Sequence, residues 1–247
     1  MSAWLFDLGN TRLKCAPLGP AGSPGGVVAL DHGGDQDLAA RLARILPVRF
    51  EAAYVASVAS DALRVALLEA LASHCPRISI ARTRREFAGI RIAYDQPPKL
   101  GVDRFLALLA AHARGDGGAL VCGIGTATTL DLIDGEGVHR GGRIAPSPTL
   151  MREALHARAA QLPLAGGEYR TFAMDTADAL ASGCEGATLA LIERSRDAAR
   201  EELGMTPRLL MHGGGSEALL ARLENATHVP ALVLEGLARW AGARGPA

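Results

Sequence analysis

A short apolar run, Ala3-Trp4-Leu5-Phe6, leads directly into Asp7-Leu8-Gly9-Asn10-Thr11-Arg12-Leu13-Lys14. The run reads as a strand, and the turn after it constrains the chain more than any other feature. An acidic residue, a glycine and small polar residues stand where the chain must turn. Gly9 permits a backbone geometry closed to residues with a Cβ. Asn10 and Thr11 offer short donors, and backbone N–H groups exposed in such a turn can cradle phosphate. Asp7 stands where a carboxylate would hold Mg²⁺, usually through water, beside those phosphates. The pattern recurs at Gly123-Ile124-Gly125-Thr126-Ala127-Thr128-Thr129-Leu130-Asp131. Either turn alone reads equally well as an ordinary hairpin. Two in one chain favour two lobes closing on one nucleotide.

Composition sets the bounds. The chain has 247 residues, enough for one large domain or two smaller ones with a real core. Hydrophobic residues are 49% and charged residues 21%, which is globular and not disordered. Lys plus Arg equals Asp plus Glu at 26 each, so no basic excess points to nucleic acid. The cysteines, Cys15, Cys75, Cys122 and Cys184, have no CxxC or zinc spacing and read as free thiols of a reducing cytosol. Asp7 arrives too early for a signal peptide, and no apolar run of about 18 residues would span a membrane. A cytoplasmic protein without membrane or nucleic-acid partners is expected.

Strands and helices alternate along the chain, which predicts an α/β architecture. Residues 3–6 and Leu13 to Leu18 form a hairpin, and Gly19 to Gly26 a loop. Leu38 to Leu46 has helical spacing. Ala53 to Val58 reads as a strand, Asp61 to Ser73 as a helix, Arg77 to Ala81 as a strand and Leu100 to Ala113 as a helix. Gly115-Asp116-Gly117-Gly118 marks a domain boundary, giving domains 1–115 and 116–247. The second half repeats the scheme. Strands are expected at Ala119 to Cys122, Leu130 to Ile133 and Val138 to Ile144, then helices at Thr149 to Gln161 and Thr176 to Glu202. The longer helix is expected to break near Gly183 and Gly186. Arg208 to Met211 is a strand, Ser216 to Leu223 a helix, Leu232 to Leu234 a last strand and Glu235 to Ala243 a last helix.

Further segments carry candidate chemistry. In Tyr94-Asp95-Gln96-Pro97-Pro98-Lys99-Leu100-Gly101-Val102-Asp103-Arg104 two prolines stiffen a loop, and Gly101 lets backbone approach a ligand. Asp103 could accept a proton from an alcohol and Arg104 could hold an anion. The competing reading is helix capping by Asp103 beside a solvent-exposed Arg104. Gly141 to Ser147 suits a pocket loop or a plain turn. In Asp175-Thr176-Ala177-Asp178-Ala179, Thr176 could bond a substrate, although a helix N-cap is the simpler reading. Gly213-Gly214-Gly215 could lie under a flat base or make a bare strand-to-helix turn. His212, the histidine closest to a proposed site, reads as structural. No G-x-x-x-x-G-K-[ST] or G-x-G-x-x-G occurs, which excludes a P-loop.

These motifs resemble, over nearly the whole chain, those of type III pantothenate kinases, in the acetate and sugar kinase/Hsp70/actin superfamily. Asp7-x-Gly9-Asn10-Thr11-x-x-Lys14 is similar to the family's first phosphate motif. Tyr94 with Gly101-Val102-Asp103-Arg104 is similar to its substrate motif, and Gly125-Thr126-Ala127-x-Thr129-x-Asp131 to its second phosphate motif. The resemblance implies two duplicated ribonuclease-H-like domains with a nucleotide cleft between them, and a homodimer. It implies phosphorylation of pantothenate by ATP to 4′-phosphopantothenate, the first step of coenzyme A biosynthesis. Asp103 would be the general base. Tyr94, Gly101, Val102, Arg104 and Thr176 would contact pantothenate. Asp7, Leu8, Gly9, Asn10, Thr11, Arg12, Leu13, Lys14 and Thr126 would contact ATP, with Mg²⁺ near Asp7. The same family contains proteins described as Bvg accessory factors.

The chain departs from the pattern at three positions. Gly123 stands where the family usually has an Asp that binds K⁺ or NH₄⁺. Asp175 stands for Asn, and Ser147 for Gly. Two rival readings stand beside the first: a kinase of the same superfamily for another small alcohol, and a nucleotide-binding regulator without turnover.

Overall fold

The computed structural model describes residues 2–32, 38–115 and 117–243, so Asp116 of the expected boundary lies outside the described residues. Two compact units make up the chain. One runs from the N-terminus to Arg114 and takes back the chain from Ala231; the other spans Gly115–Pro230.

In the first unit β1 (Ala3–Leu8) turns into β2 (Arg12–Pro17), antiparallel to it, and β3 (Val28–Asp31) adds antiparallel to β2. Helix α1 (Leu38–Ala43) leads to β4 (Ala52–Ser57), parallel to β1. Helix α2 (Asp61–Ala72) leads to β5 (Ile78–Ile80), parallel to β4. The sheet order is β3-β2-β1-β4-β5. A small hairpin of β6 (Glu86–Phe87) and β7 (Ile90–Arg91) precedes α3 (Val102–His112).

Strand side chains alternate between the two faces of a sheet. Phe6 and Leu8 of β1, with Leu13 and Cys15 of β2, share a core with Leu38, Leu42, Leu67 and Leu71 of α1 and α2. Asp7 and Lys14, cross-strand partners in the β1–β2 ladder, therefore face the other side of the sheet. Helix α3 packs on β4.

The second unit repeats this wiring. β8 (Ala119–Ile124), β9 (Ala127–Ile133) and β10 (His139–Pro146) form an antiparallel meander. Helices α4 (Pro148–Arg158) and α5 (Thr176–Leu203) lead to β11 (Arg208–His212), parallel to β8. The short α6 (Glu217–Leu220) leads to β12 (Ala226–His228), parallel to β11. The order is β10-β9-β8-β11-β12, position for position that of the first sheet. The duplication expected from the resemblance is thus realised as two ribonuclease-H-like sheets. Leu120, Cys122 and Ile124 of β8 pack with Leu189 and Ile192 of α5 and with Leu209 and Met211 of β11.

Three expectations change. Leu232 to Leu234 is not a strand but the first turn of α7 (Leu232–Ala243). Three successive apolar residues carry no period, and the burial of Leu237, Ala238, Trp240 and Ala241 after them completes a helix buried on most sides. Helix α7 packs on α3, β1 and β4, so the contacts group it with the first unit, whereas a division at 116 places it in the second domain. Helix α5 runs unbroken through Gly183 and Gly186, between an Asp175 N-cap and Gly204 at φ +65°. Each internal glycine costs about 1 kcal/mol against alanine, which 28 residues of continuous helix absorb. Among the described residues no helix is long and apolar enough to cross a membrane.

Candidate active site

The first glycine turn joins β1 to β2. Gly9 N–H donates to the Arg12 carbonyl at 2.9 Å, which closes the turn around Asn10 and Thr11. Asp7, just before it, is half-buried. Burial, then the neighbouring carboxylate of Asp103, push Asp7 up to about 7, while Lys14 pulls it down. Asp7 thus feels one charge from its own motif, Lys14, and one from the substrate motif, Asp103. Leu8 and Leu13, expected at the nucleotide, bury their side chains in the α1/α2 core. Only their backbone is available to a ligand. Arg12 pairs through Nε with Asp31 Oδ1 at 2.5 Å.

The substrate motif begins α3. Gly101 is the N-cap residue and makes no side-chain cap, being glycine. Asp103 Oδ1 accepts a hydrogen bond from the Arg104 N–H at 2.8 Å, which holds the carboxylate against the first turn. A Cβ at Gly101 would lie 2.5 Å from that oxygen, so only glycine leaves it room. Val102, the first helical residue, is buried. Arg104 is buried at 7% exposure, not solvent-exposed as the capping reading required. Its Nη1 donates to the Tyr94 hydroxyl at 3.3 Å, and its guanidinium carbon stands 6.0 Å from that ring's centre. A buried arginine beside a phenol suits an anionic group better than water does.

In the second unit the turn between β8 and β9 carries Thr126, which is exposed; Gly125 N–H donates to the Ala127 carbonyl at 2.9 Å. The Gly213 to Gly215 segment presses on this turn. Gly215 N–H donates to the Ile124 carbonyl at 3.0 Å, and a Cβ at Gly213, where φ is +91°, would lie 2.3 Å from that oxygen. Asp131, deeper in β9, accepts from His139 Nε2 at 3.0 Å and is buried within the sheet. Thr176 starts α5 and is exposed, while Asp175 Oδ1 caps the helix through the N–H groups of Ala177 and Asp178. Ser147 likewise caps α4, its Oγ accepting from Leu150 N–H at 3.2 Å, which gives that departure from glycine a structural use.

Gly123 lies between Thr129 of β9 and His212 of β11 in register, all three on one face. A Cβ there would lie 2.8 Å from Thr129 Oγ1 and 2.9 Å from His212 Nε2. The space of a carboxylate at position 123 is filled by an imidazole, a role that the sequence alone did not reveal for His212. His32 was also missed; no motif surrounds it. Among the described residues no group of three or more His, Cys, Asp or Glu could hold a metal ion by itself.

Two duplicated sheets of this wiring, with a glycine turn at the same place in each, define an actin-like ATPase fold. A solved archaeal actin homologue superposes with a TM-score of 0.53 over 98% of this chain and 99% of its own, at 11% identity. A protein described as a Baf family transcriptional activator, from Campylobacter jejuni, gives a TM-score of 0.62 over 96% of each chain at 18% identity. Residues 4–198 match the type III pantothenate kinase family. A type III pantothenate kinase of Stenotrophomonas maltophilia (strain K279a) is 55% identical over 241 residues, 98% of each chain. The chain belongs to the type III pantothenate kinase family.

Proposed function

We propose that this chain transfers the γ-phosphoryl group of ATP to the primary hydroxyl of pantothenate, giving 4′-phosphopantothenate and ADP, the first step of coenzyme A biosynthesis. The observation that carries the reading is the start of α3. There the Asp103 carboxylate is held over Gly101, beside a buried Arg104 and within electrostatic reach of Asp7. The pantothenate oxygen bonds to the γ-phosphorus as the bond from that phosphorus to the β–γ bridging oxygen breaks. The hydroxyl proton passes to Asp103. Arg104, with Tyr94 beside it, holds the pantothenate carboxylate, and Gly101, Val102 and Thr176 complete the contacts. Residues 7–14 and Thr126 contact ATP. Most of the acceleration is alignment and charge neutralisation, with Lys14 serving the phosphates.

Mg²⁺ fits this site. A half-buried carboxylate whose proton is held by desolvation and by a second carboxylate is a place where positive charge is favourable. Asp7 would hold the ion through water, and the ion would neutralise phosphate charge. K⁺ or NH₄⁺ at the second turn does not fit: Gly123 offers no carboxylate, and His212 and Thr129 occupy its space. No step is assigned to a monovalent cation.

We place the enzyme in the cytoplasm as a homodimer. Its four cysteines are free and buried, and burial pushes Cys15 up to about 11 and Cys122 to about 12. Of the exposed large apolar side chains, Ile144, Leu155, Leu164, Phe172 and Met174 fall within 31 residues of one unit. Phe172 and Met174 are 92% and 99% exposed, a surface suited to a second copy.

The test is ADP release from Mg-ATP by the purified protein, with and without pantothenate. Pantothenate-dependent release supports the kinase; ATP binding without turnover supports the regulator, and turnover of another alcohol the related kinase. Asp103→Asn keeps the oxygen that accepts the Arg104 N–H and loses the base. Its kcat is expected to fall by about 10²–10⁴-fold with Tm nearly unchanged, and near-normal turnover would remove Asp103 from this role.

A further inference from the structure

His32, immediately after β3, is buried at 2% exposure, and it touches the β1–β2 turn twice. Its Nε2 lies 2.8 Å from the Gly9 carbonyl oxygen. Its backbone N–H donates to the Thr11 carbonyl at 3.2 Å. A carbonyl only accepts, so Nε2 carries the hydrogen in this contact. One residue therefore takes the carbonyls on both sides of Asn10.

In a planar trans peptide the C=O and the N–H of the next residue lie in one plane and point in opposite directions. With the Gly9 oxygen turned to His32, the Asn10 N–H points away from His32. The third contact in the turn, from Gly9 N–H to the Arg12 carbonyl at 2.9 Å, fixes the turn's mouth. The turn is thus held by hydrogen bonds to its carbonyls and its first N–H, with the Asn10 donor directed outward. A hydrogen bond to a peptide oxygen also polarises that peptide and strengthens its N–H as a donor.

We propose that His32 is a positioning residue for nucleotide phosphate: through the Gly9 and Thr11 carbonyls it aims the Asn10 N–H at the phosphate. This rests on the reading of the first turn as a phosphate site. Phosphate bound by backbone N–H groups depends on their direction, because the donors cannot reorient independently as a lysine can. The side-chain contact comes from a residue 23 positions on in the sequence, so the turn's geometry is set from β3 and not by its own residues alone.

His32→Leu fills the site without a donor, and His32→Gln restores an N–H at similar reach. The leucine variant is expected to raise KM for Mg-ATP by about tenfold, the loss of one well-placed hydrogen bond, with KM for pantothenate unchanged. The glutamine variant is expected to recover most of that. A leucine variant that lowers Tm and active fraction but leaves KM for Mg-ATP in place overturns the proposal, since a merely structural histidine behaves so. If the unaltered protein binds Mg-ADP without pantothenate-dependent turnover, the kinase reading fails separately. Calorimetric Kd for Mg-ADP then decides: about tenfold weakening in the leucine variant upholds the positioning role, and an unchanged Kd overturns it. Should the leucine variant not fold, ¹H–¹⁵N spectra of the imidazole in the unaltered protein decide. A protonated Nε2 that shifts on Mg-ADP binding upholds the proposal, and an Nε2 without hydrogen overturns it.

Discussion

The Asp103 carboxylate lies over Gly101, its Oδ1 only 2.5 Å from the point where a Cβ at position 101 would stand. Two residues of one motif are thus joined sterically: the glycine exists so that the acid can fold back onto the first turn of α3. Gly101→Ala should push the carboxylate out of that position without disturbing the helix, since Gly101 has φ −51°, open to any residue. A displacement of about 1 Å in a catalytic group lowers turnover by about 100-fold. Steady-state kinetics with a Tm measurement checks this, and an alanine variant with unaltered kcat removes the steric link from the mechanism.

Asp7 ties stability to pH in the direction opposite to most carboxylates. Its folded-state pKa, about 7, lies above the ordinary value of 3.8, because burial and then Asp103 disfavour the charge. The folded protein holds that proton more tightly than the unfolded chain. The stabilisation is fully present below about pH 4 and is lost as pH rises through about 7. Asp7→Asn removes the titration. Its stability advantage over the unaltered ligand-free protein should grow between about pH 4 and pH 7, reach on the order of 4 kcal/mol, and stay flat above. Turnover should fall at the same time. Denaturation midpoints across that range test it; parallel pH curves for the two proteins would exclude Asp7 as the titrating group.

Much of this was legible in the chain. Asp7, Gly9 and the 101–104 motif stood out because turns and helix starts impose residue types locally. The strand that was expected at Leu232 failed because three apolar residues in a row fit either period. The two-residue strands β6 and β7 pair only with each other and are too short to carry a pattern, and β12 is held by β11, a partner distant in sequence. For the same reason His32 and His212 were not legible as functional neighbours. Each acts on a glycine turn from another strand or its end, and cross-strand register is a property of the fold. Arg104 was legible as an anion holder, but its burial beside Tyr94 was not.

The filling of the Gly123 space by His212 predicts indifference to monovalent cations. Turnover in Na⁺, K⁺ and NH₄⁺ buffers of equal ionic strength should agree within about twofold, because without a carboxylate no strong oxygen ligand selects among them. Strong stimulation by K⁺ or NH₄⁺ would mean that other oxygens at this turn replace the missing acid. Gly123→Asp should not install a cation site alone, since its Cβ would lie 2.8 Å from Thr129 Oγ1 and 2.9 Å from His212 Nε2. A melting temperature raised specifically by K⁺ in that variant would contradict this.

Helix α7 is locked to α3 by the absence of one side chain. A Cβ at Gly236 would lie 1.9 Å from the Leu106 carbonyl oxygen and 2.5 Å from its carbon, atoms of helical backbone that cannot swing aside. The two helices therefore cross at nearly backbone contact, with Trp240 and Leu237 of α7 and Phe105 and Leu109 of α3 buried around the crossing. Gly236→Val should separate them and lower stability by about 3 kcal/mol, the upper part of the range for overpacking a close-packed core. Because Asp103 lies on α3 one turn before Leu106, the same displacement should lower kcat in whatever fraction remains folded. Gly236→Ala should do the same to a smaller degree, ordering the two variants by side-chain volume. Urea denaturation and kcat measured on both variants test the order. A valine variant as stable as the unaltered protein would mean that the helices pack at a wider spacing than the glycine allows.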